Sequence, residues 1–191
     1  MNPHVLTYVL NVCVSLQVSK QALRLLSQVQ HEPLLNLEQL NPELVKHSGS
    51  MAQAHNLRQR LRLLGDYLLT CRSGAYKKLQ ARMAQRTYLL ESSHLYSVVD
   101  LQEIAEDQYA VYLMTLLQFA SSHVFQCDLC TQRGFICQIC HAHDTIFPFQ
   151  FDSTTRCTDC KAVFHLACKA PGRSCPRCQR MKKYRERDLQ D

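Results

Sequence analysis

At 191 residues the chain can form one sizeable domain or two small ones. An apolar content of 46% argues against disorder, and five glycines in a leucine-rich sequence favour helices over a β-sandwich or barrel. The formal charge of +6 counts eleven cysteines as neutral, so by itself it is no signature of nucleic-acid binding.

Residues 1–16 are moderately apolar, contain Asn2, His4 and Asn11, have no basic leader segment and are too short to span a bilayer. They read as a docked helix or strand outside the pattern that follows. Residues 18–30 predict an amphipathic helix with Val18, Ala22, Leu25, Leu26 and Val29 on one face, stopped by Pro33. After an apolar connector, Leu34–Leu37, Asn41-Pro42 reads as an N-cap followed by a first-turn proline. A longer helix is expected from about Ser50 to Cys71, burying Leu57, Leu61, Leu64 and Leu68 while Arg58 and Arg62 point elsewhere. Ser73-Gly74 ends it, a helix over Tyr76–Gln85 follows, and Glu91–His94 is loop-like. Ser97 then caps a helix over Val98–Ala120. Leu101, Ala105, Tyr109, Tyr112, Leu116 and Phe119 keep its spacing, with Glu103, Glu106 and Asp107 towards solvent. Residues 17–122 thus read as a helical bundle leading into 123–180 without a flexible linker, and 181–191 as a basic tail.

Beyond residue 123 the chemistry changes. Nine of the eleven cysteines fall within residues 127–178, in pairs rather than spread as in a secreted disulfide protein. Five pairs follow in order: Cys127/Cys130, Cys137/Cys140, Cys157/Cys160, His165/Cys168 and Cys175/Cys178. Two intervening residues let one turn aim both side chains at a tetrahedral ion, and thiolate-rich sets of this kind are structural zinc sites in a reducing, cytosolic compartment. Ile146–Phe151 is expected to be an extended segment whose aromatics form the module's small core. Cys13 and Cys71 read as ordinary buried thiols.

The last four pairs resemble cross-brace modules of the RING, PHD and FYVE types. By that resemblance Cys137, Cys140, His165 and Cys168 share one zinc, and Cys157, Cys160, Cys175 and Cys178 the other. Spacing alone leaves sequential pairing open. Cys127/Cys130 needs further ligands for a third site: His123 is the first candidate, then His141 and His143, with Cys71 the most remote.

A more specific resemblance lies in Cys127-Asp128-Leu129-Cys130, Arg133-Gly134-Phe135-Ile136-Cys137-Gln138-Ile139-Cys140, Ile146-Phe147-Pro148-Phe149, Val163-Phe164-His165 and Ser174-Cys175-Pro176-Arg177-Cys178. With Leu63–Leu68 and Tyr88–Ser92 upstream, these resemble the Rubicon-homology domain as it occurs in the pleckstrin-homology-domain-containing family M, over roughly residues 18–185. The pleckstrin-homology domains expected upstream are missing, so the chain reads as a fragment or short form. The resemblance implies a mainly α fold, a helical bundle followed by a cysteine-rich multi-zinc module. It also implies a non-enzymatic adaptor that binds a GTP-loaded Rab GTPase of late endosomes and lysosomes, in endolysosomal traffic and autophagy. Its expected place is cytoplasmic, peripheral to those membranes, with the exposed faces of helices 50–71 and 98–120 as candidate partner surfaces. No small-molecule substrate or nucleic acid is implied.

Three other readings compete. A RING-type ubiquitin ligase is favoured by Ile139 and Pro176 but opposed by the long gap from Cys160 to His165. A PHD-type histone reader fits the ligand order, yet the chain has no Trp for a methyl-lysine cage. Arg177, Arg180, Lys182, Lys183, Arg185 and Arg187 suit anionic lipid, or are the solvated face of a helix.

Overall fold

The computed structural model describes residues 19–170 and 172–188; the readings of residues 1–16 and of Val18 lie outside them. The chain divides into two compact units between Ser121 and Ser122.

The first unit is helical. Ser19 caps α1 (Lys20–Val29) through its side chain, 3.1 Å from the Ala22 N–H. On the expected apolar face Ala22 and Val29 are half-buried and Leu25 is 60% exposed. Leu35–Asn36 (β1) then pairs antiparallel with Leu95–Tyr96 (β2), a two-residue ladder that neither segment's sequence suggests. Asn36 caps α2 (Leu37–Leu40), and α3 (Leu44–His47) follows. Asn41 therefore ends one helix instead of opening the next, which begins beyond Pro42 with Glu43 as its cap.

The central element is α4 (Gly49–Leu69), started by Ser48, whose side chain accepts from the Met51 N–H at 3.3 Å. Around it pack α3, α5 (Ala75–Met83), α6 (Tyr88–Glu91) and α7 (Val98–Ala105). Leu57, Leu61, Leu64 and Leu68 are buried as expected. Each fully buried leucine is worth about 1.5–3 kcal/mol. Gly65 faces α6 so closely that an added Cβ would lie 2.6 Å from Leu90 Cδ2.

Arg58 corrects the sequence reading: its side chain is fully buried, not pointed away from the core. The guanidinium lies 4.3 Å from the Tyr96 ring centroid and donates to the carbonyls of Ser92 and Leu95, fastening the 92–95 segment onto α4. Beside it Ser97 and Asp100 form a capping box at α7. The Asp100 N–H donates to Ser97 Oγ at 3.1 Å, and the Ser97 N–H to Asp100 Oδ2 at 2.9 Å. Tyr88 Oη also donates to Asp100, at 2.7 Å. Burial raises the Asp100 carboxyl pKa, against the Ser97 backbone and Tyr88 hydrogen bonds, which lower it. Glu103, expected in solvent, takes both arms of Arg86 at 2.6 and 2.5 Å.

The expected Val98–Ala120 helix is two helices. α7 ends at Ala105, and α8 runs Gln108–Gln126, beyond the predicted end. Between them Asp107 takes a left-handed conformation (φ 57°), which short polar side chains tolerate best, and Ala105 is left exposed. Among the described residues no helix is long and apolar enough to cross a membrane.

In the second unit the end of α8 gives way to a single helical turn, α9 (Asp128–Thr131). Phe135 and Ile146 form an isolated antiparallel bridge, held by two N–H···O bonds of 2.9 Å. Gly134 permits it, since a Cβ there would fall 2.0 Å from Thr145 Cγ2 and 3.1 Å from the Phe147 ring. The expected extended run stops at Ile146. From Phe147 the chain turns, and the Phe147 N–H donates to the Gln150 side chain at 2.8 Å in place of a strand partner. The aromatics still build a core: Phe147 and Phe149 stack at 5.3 Å and Phe125 meets Phe147 edge-on at 5.4 Å. The strands of this unit are β3 (Thr154–Arg156) and β4 (Val163–His165), an antiparallel hairpin with Thr154 opposite His165. α10 (Pro176–Asp188) closes the described chain, so the basic segment continues a helix that starts at Pro176.

Candidate metal centres

The β3–β4 hairpin explains the interleaving of the Cys/His pairs. Its turn carries Cys157 and Cys160, whereas His165 ends β4 at the opposite end, with Cys168 just beyond. Three residues of strand are about 10 Å, too far for both pairs to reach one ion. Each pair therefore meets a partner from elsewhere in the chain. Cys157, Cys160, Cys175 and Cys178 bring their ligand atoms within 4.8 Å of one another, and so do Cys137, Cys140, His165 and Cys168. Alternate pairs meet, and sequential pairing does not occur.

The spacings suit a tetrahedral ion. Cys157 Sγ lies 3.6 Å from Cys178 Sγ, and Cys160 Sγ 3.5 Å from Cys175 Sγ. Zn–S bonds of about 2.3 Å would separate sulfurs by about 3.8 Å. All are free thiols.

Two of the turns have the same construction. Cys137-Gln138-Ile139-Cys140 and Cys157-Thr158-Asp159-Cys160 are each followed by a left-handed residue, His141 (φ 55°) and Lys161 (φ 59°). That residue's N–H returns to the carbonyl of the pair's first cysteine, at 2.9 and 3.2 Å. The turn thereby aims backbone N–H groups at the first sulfur. For Cys157, the N–H groups of Cys160 and Asp159 lower the thiol pKa to about 7. For Cys137, burial works the other way, but the N–H groups of Cys140, His165 and Ile139 outweigh it and bring the value to about 6. Both sulfurs are thus biased towards thiolate, the form a metal takes.

His165 turns Nδ1 to the sulfurs of Cys140 (3.3 Å) and Cys168 (3.7 Å), leaving Nε2 2.8 Å from Asp144 Oδ2. The hydrogen bond to Asp144, then that to Cys140, raises the imidazole pKa to about 9. A carboxylate on the far nitrogen fixes ring orientation and tautomer, as in metal-bound histidines generally. Sequence reading did not single out Asp144; it stands 21 positions before His165 in no recognisable motif.

A third set gathers in the second unit around Cys127 and Cys130. His123, in the last turn of α8, brings its ring to both sulfurs, again with ligand atoms within 4.8 Å. The Cys127 N–H bonds back to the His123 carbonyl at 2.9 Å. These three are the ligands supplied by this unit. His141 and His143 are exposed and join no set among the described residues; His141 is spent on its turn. Thiolate-rich Cys/His sets of this kind suit a structural ion better than a catalytic one.

A helical domain followed by a hairpin-centred module whose interleaved Cys/His sets could hold metal ions is the general class of this chain. The sequence pattern of the Rubicon Homology Domain matches residues 10–183, and the chain belongs to that family. It is 44% identical over 164 residues to Pleckstrin homology domain-containing family M member 3 of Xenopus laevis, and 45% identical over 164 residues to the Homo sapiens protein of that name. Each alignment covers 86% of this chain but 22% of the relative, so the chain spans about a fifth of their length.

Proposed function

We propose that this chain is a non-enzymatic adaptor domain whose zinc-braced scaffold binds a GTP-loaded Rab GTPase of late endosomes and lysosomes. Family membership over residues 10–183 is the observation that supports the reading; on it the domain would work in endolysosomal traffic and autophagy, in the cytoplasm at the membrane surface. Two supporting facts are the closed Cys/His sets, which hold structure rather than substrate, and the helical surface. On α8, Val111 and Met114 are 57% and 46% exposed, apolar side chains one turn apart that a protein partner would cover. Direct binding of the zinc-replete chain to a late-endosomal Rab, loaded with GTP analogue or with GDP, tests it. GTP-selective binding is expected. Equal affinity for the two forms, or none in a folded and metallated sample, would sink the proposal and bring ubiquitin-discharge assays forward.

In this reading Cys137, Cys140, His165 and Cys168 bind one zinc, and Cys157, Cys160, Cys175 and Cys178 a second. His123, Cys127 and Cys130 contribute to a third. Asp144 is then the positioning residue of the first site. Asp144→Ala is expected to weaken zinc binding there by about 10–100-fold, read by competition with a chromophoric chelator, while leaving four ligands in place. Unchanged affinity would mean that Asp144 only decorates the surface.

A further inference from the structure

A cavity of about 430 Å³ opens in the second unit beside the Cys157/Cys160/Cys175/Cys178 set. That is the size of a small-ligand site, typically about 300–1,000 Å³. Its walls carry four cations from three separate segments: Arg156 at the end of β3, Lys169 and Arg173 in the loop after Cys168, and Lys182 on α10. Convergence of this kind is not what one solvated helix face produces.

Little opposes those charges. Among the described residues no carboxylate pairs with Arg156, Lys169 or Arg173, and Lys182 meets Glu186 only at 3.8 Å on an exposed surface. Lys169 and Arg173 are instead tied to the loop's own backbone, Lys169 donating to the Arg173 carbonyl and Arg173 to that of Cys168 at 3.3 Å. Both bonds preorganise the loop. Asp159 is the one carboxylate in the wall. A zinc ion held by four thiolates adds two net negative charges, so the cations neutralise the cage and Asp159 and leave an excess of one positive charge. The helix that supplies Lys182, α10, also exposes Met181 (43%) and Tyr184 (62%), one turn apart.

We infer that this cavity binds the phosphomonoester-bearing headgroup of a membrane lipid. A phosphomonoester carries about −1.5 to −2 charge and accepts several charge-assisted hydrogen bonds. Four guanidinium and ammonium groups around a headgroup-sized space supply them. Met181 and Tyr184 favour a lipid over a soluble anion, because exposed apolar and amphipathic side chains on a helix that walls a basic pocket suit the interface between headgroups and acyl chains. The inference rests on the proposed zinc loading but is independent of the Rab partner.

The test uses the full zinc-replete chain and vesicles of phosphatidylcholine, alone, with phosphatidylinositol monophosphate, or with phosphatidylserine at matched surface charge. Sedimentation with the phosphoinositide vesicles is expected to exceed that with phosphatidylserine. The double variant Arg156→Gln, Arg173→Gln should weaken it about thirtyfold at unchanged zinc content. Soluble inositol monophosphate should compete. Equal binding to both anionic vesicles, or a double variant as good as the parent, overturns the pocket. Binding of the soluble headgroup without vesicle binding overturns the lipid assignment. Loss of zinc from the double variant assigns the cations to the thiolate cage alone and also overturns it. A parent chain that binds no zinc at the outset identifies failure of the zinc reading instead.

Discussion

Cys157→Ser is expected to cost the chain one zinc and the folded structure of residues 137–178, and His165→Ala to do the same from the other site. The size of the effect follows from how little else holds this segment. The cluster around the hairpin consists of Cys137, Ile146, Cys157, Ala162, Val163, Phe164 and Cys175, three of them cysteines and one an alanine, and Phe147 and Phe149 are buried beside each other. These five large apolar side chains contribute about 1.5–3 kcal/mol each. Ordering the backbone costs about 1–2 kcal/mol per residue. Segments of about 40 residues rarely close that gap by packing, whereas a structural zinc contributes about 10–16 kcal/mol. Interleaving makes the sites interdependent, because the β3–β4 hairpin lies between them and each ion fixes one end. Zinc stoichiometry by atomic emission and amide chemical-shift dispersion provide the measurement. Either variant remaining dispersed and fully metallated would refute the ligand assignment. Chelation of the parent chain should reproduce the same collapse reversibly, with the helical signal of the first unit retained, since Leu61, Leu64, Leu68 and Leu79 pack there without any metal.

The features that sequence reading found share one property: the physics that sets them is local. Ser97 as a helix cap, leucines at helical spacing, and paired ligands across two-residue gaps all act within a turn or two. The misses are long-range. Nothing local marks the break at Glu106-Asp107, because neither residue is a glycine or proline and Leu101, Ala105 and Tyr109 keep helical period across it. Phe147 and Phe149 alternate as in a strand, yet Gln150 takes the Phe147 N–H and turns the chain. Asp144 is visible only once His165 has been folded back onto it. The same holds for the basic cavity, whose four cations come from three segments. Arg58 is a different kind of miss. The buried face of α4 was centred on Leu57, Leu61, Leu64 and Leu68, but its innermost line runs Met51, Ala54, Arg58, Leu61, Gly65 and Leu68, alternating steps of three and four. A charged residue and a glycine on that line disguise it.

Arg58→Met is expected to destabilise the first unit by about 3–5 kcal/mol, lowering its melting temperature by at least about 12 °C. Methionine matches much of the side chain's volume, so the loss is not chiefly a cavity. The case also differs from a buried ion pair that apolar residues can replace as a set. The groups Arg58 satisfies are the backbone carbonyls of Ser92 and Leu95, and these stay when it goes. Each buried acceptor left without a donor costs about 1–3 kcal/mol. The stacking on Tyr96, 4.3 Å from the ring centroid, adds up to about 2 kcal/mol in a desolvated site. Asp100 is affected too: burial raises its pKa, the Ser97 and Tyr88 hydrogen bonds and then Arg58 and Arg86 lower it, and of the two cations only Arg86, 3.5 Å from Oδ1, would remain. Arg58→Lys should recover little, since a single ammonium lacks the planar fork that reaches two carbonyls while lying flat on a ring. Thermal unfolding followed by circular dichroism separates the cases. A melting temperature within experimental scatter of the parent for Arg58→Met would mean that the 92–95 segment holds to α4 without its clamp. Full rescue by lysine would mean that charge, not the fork, is what α4 needs there.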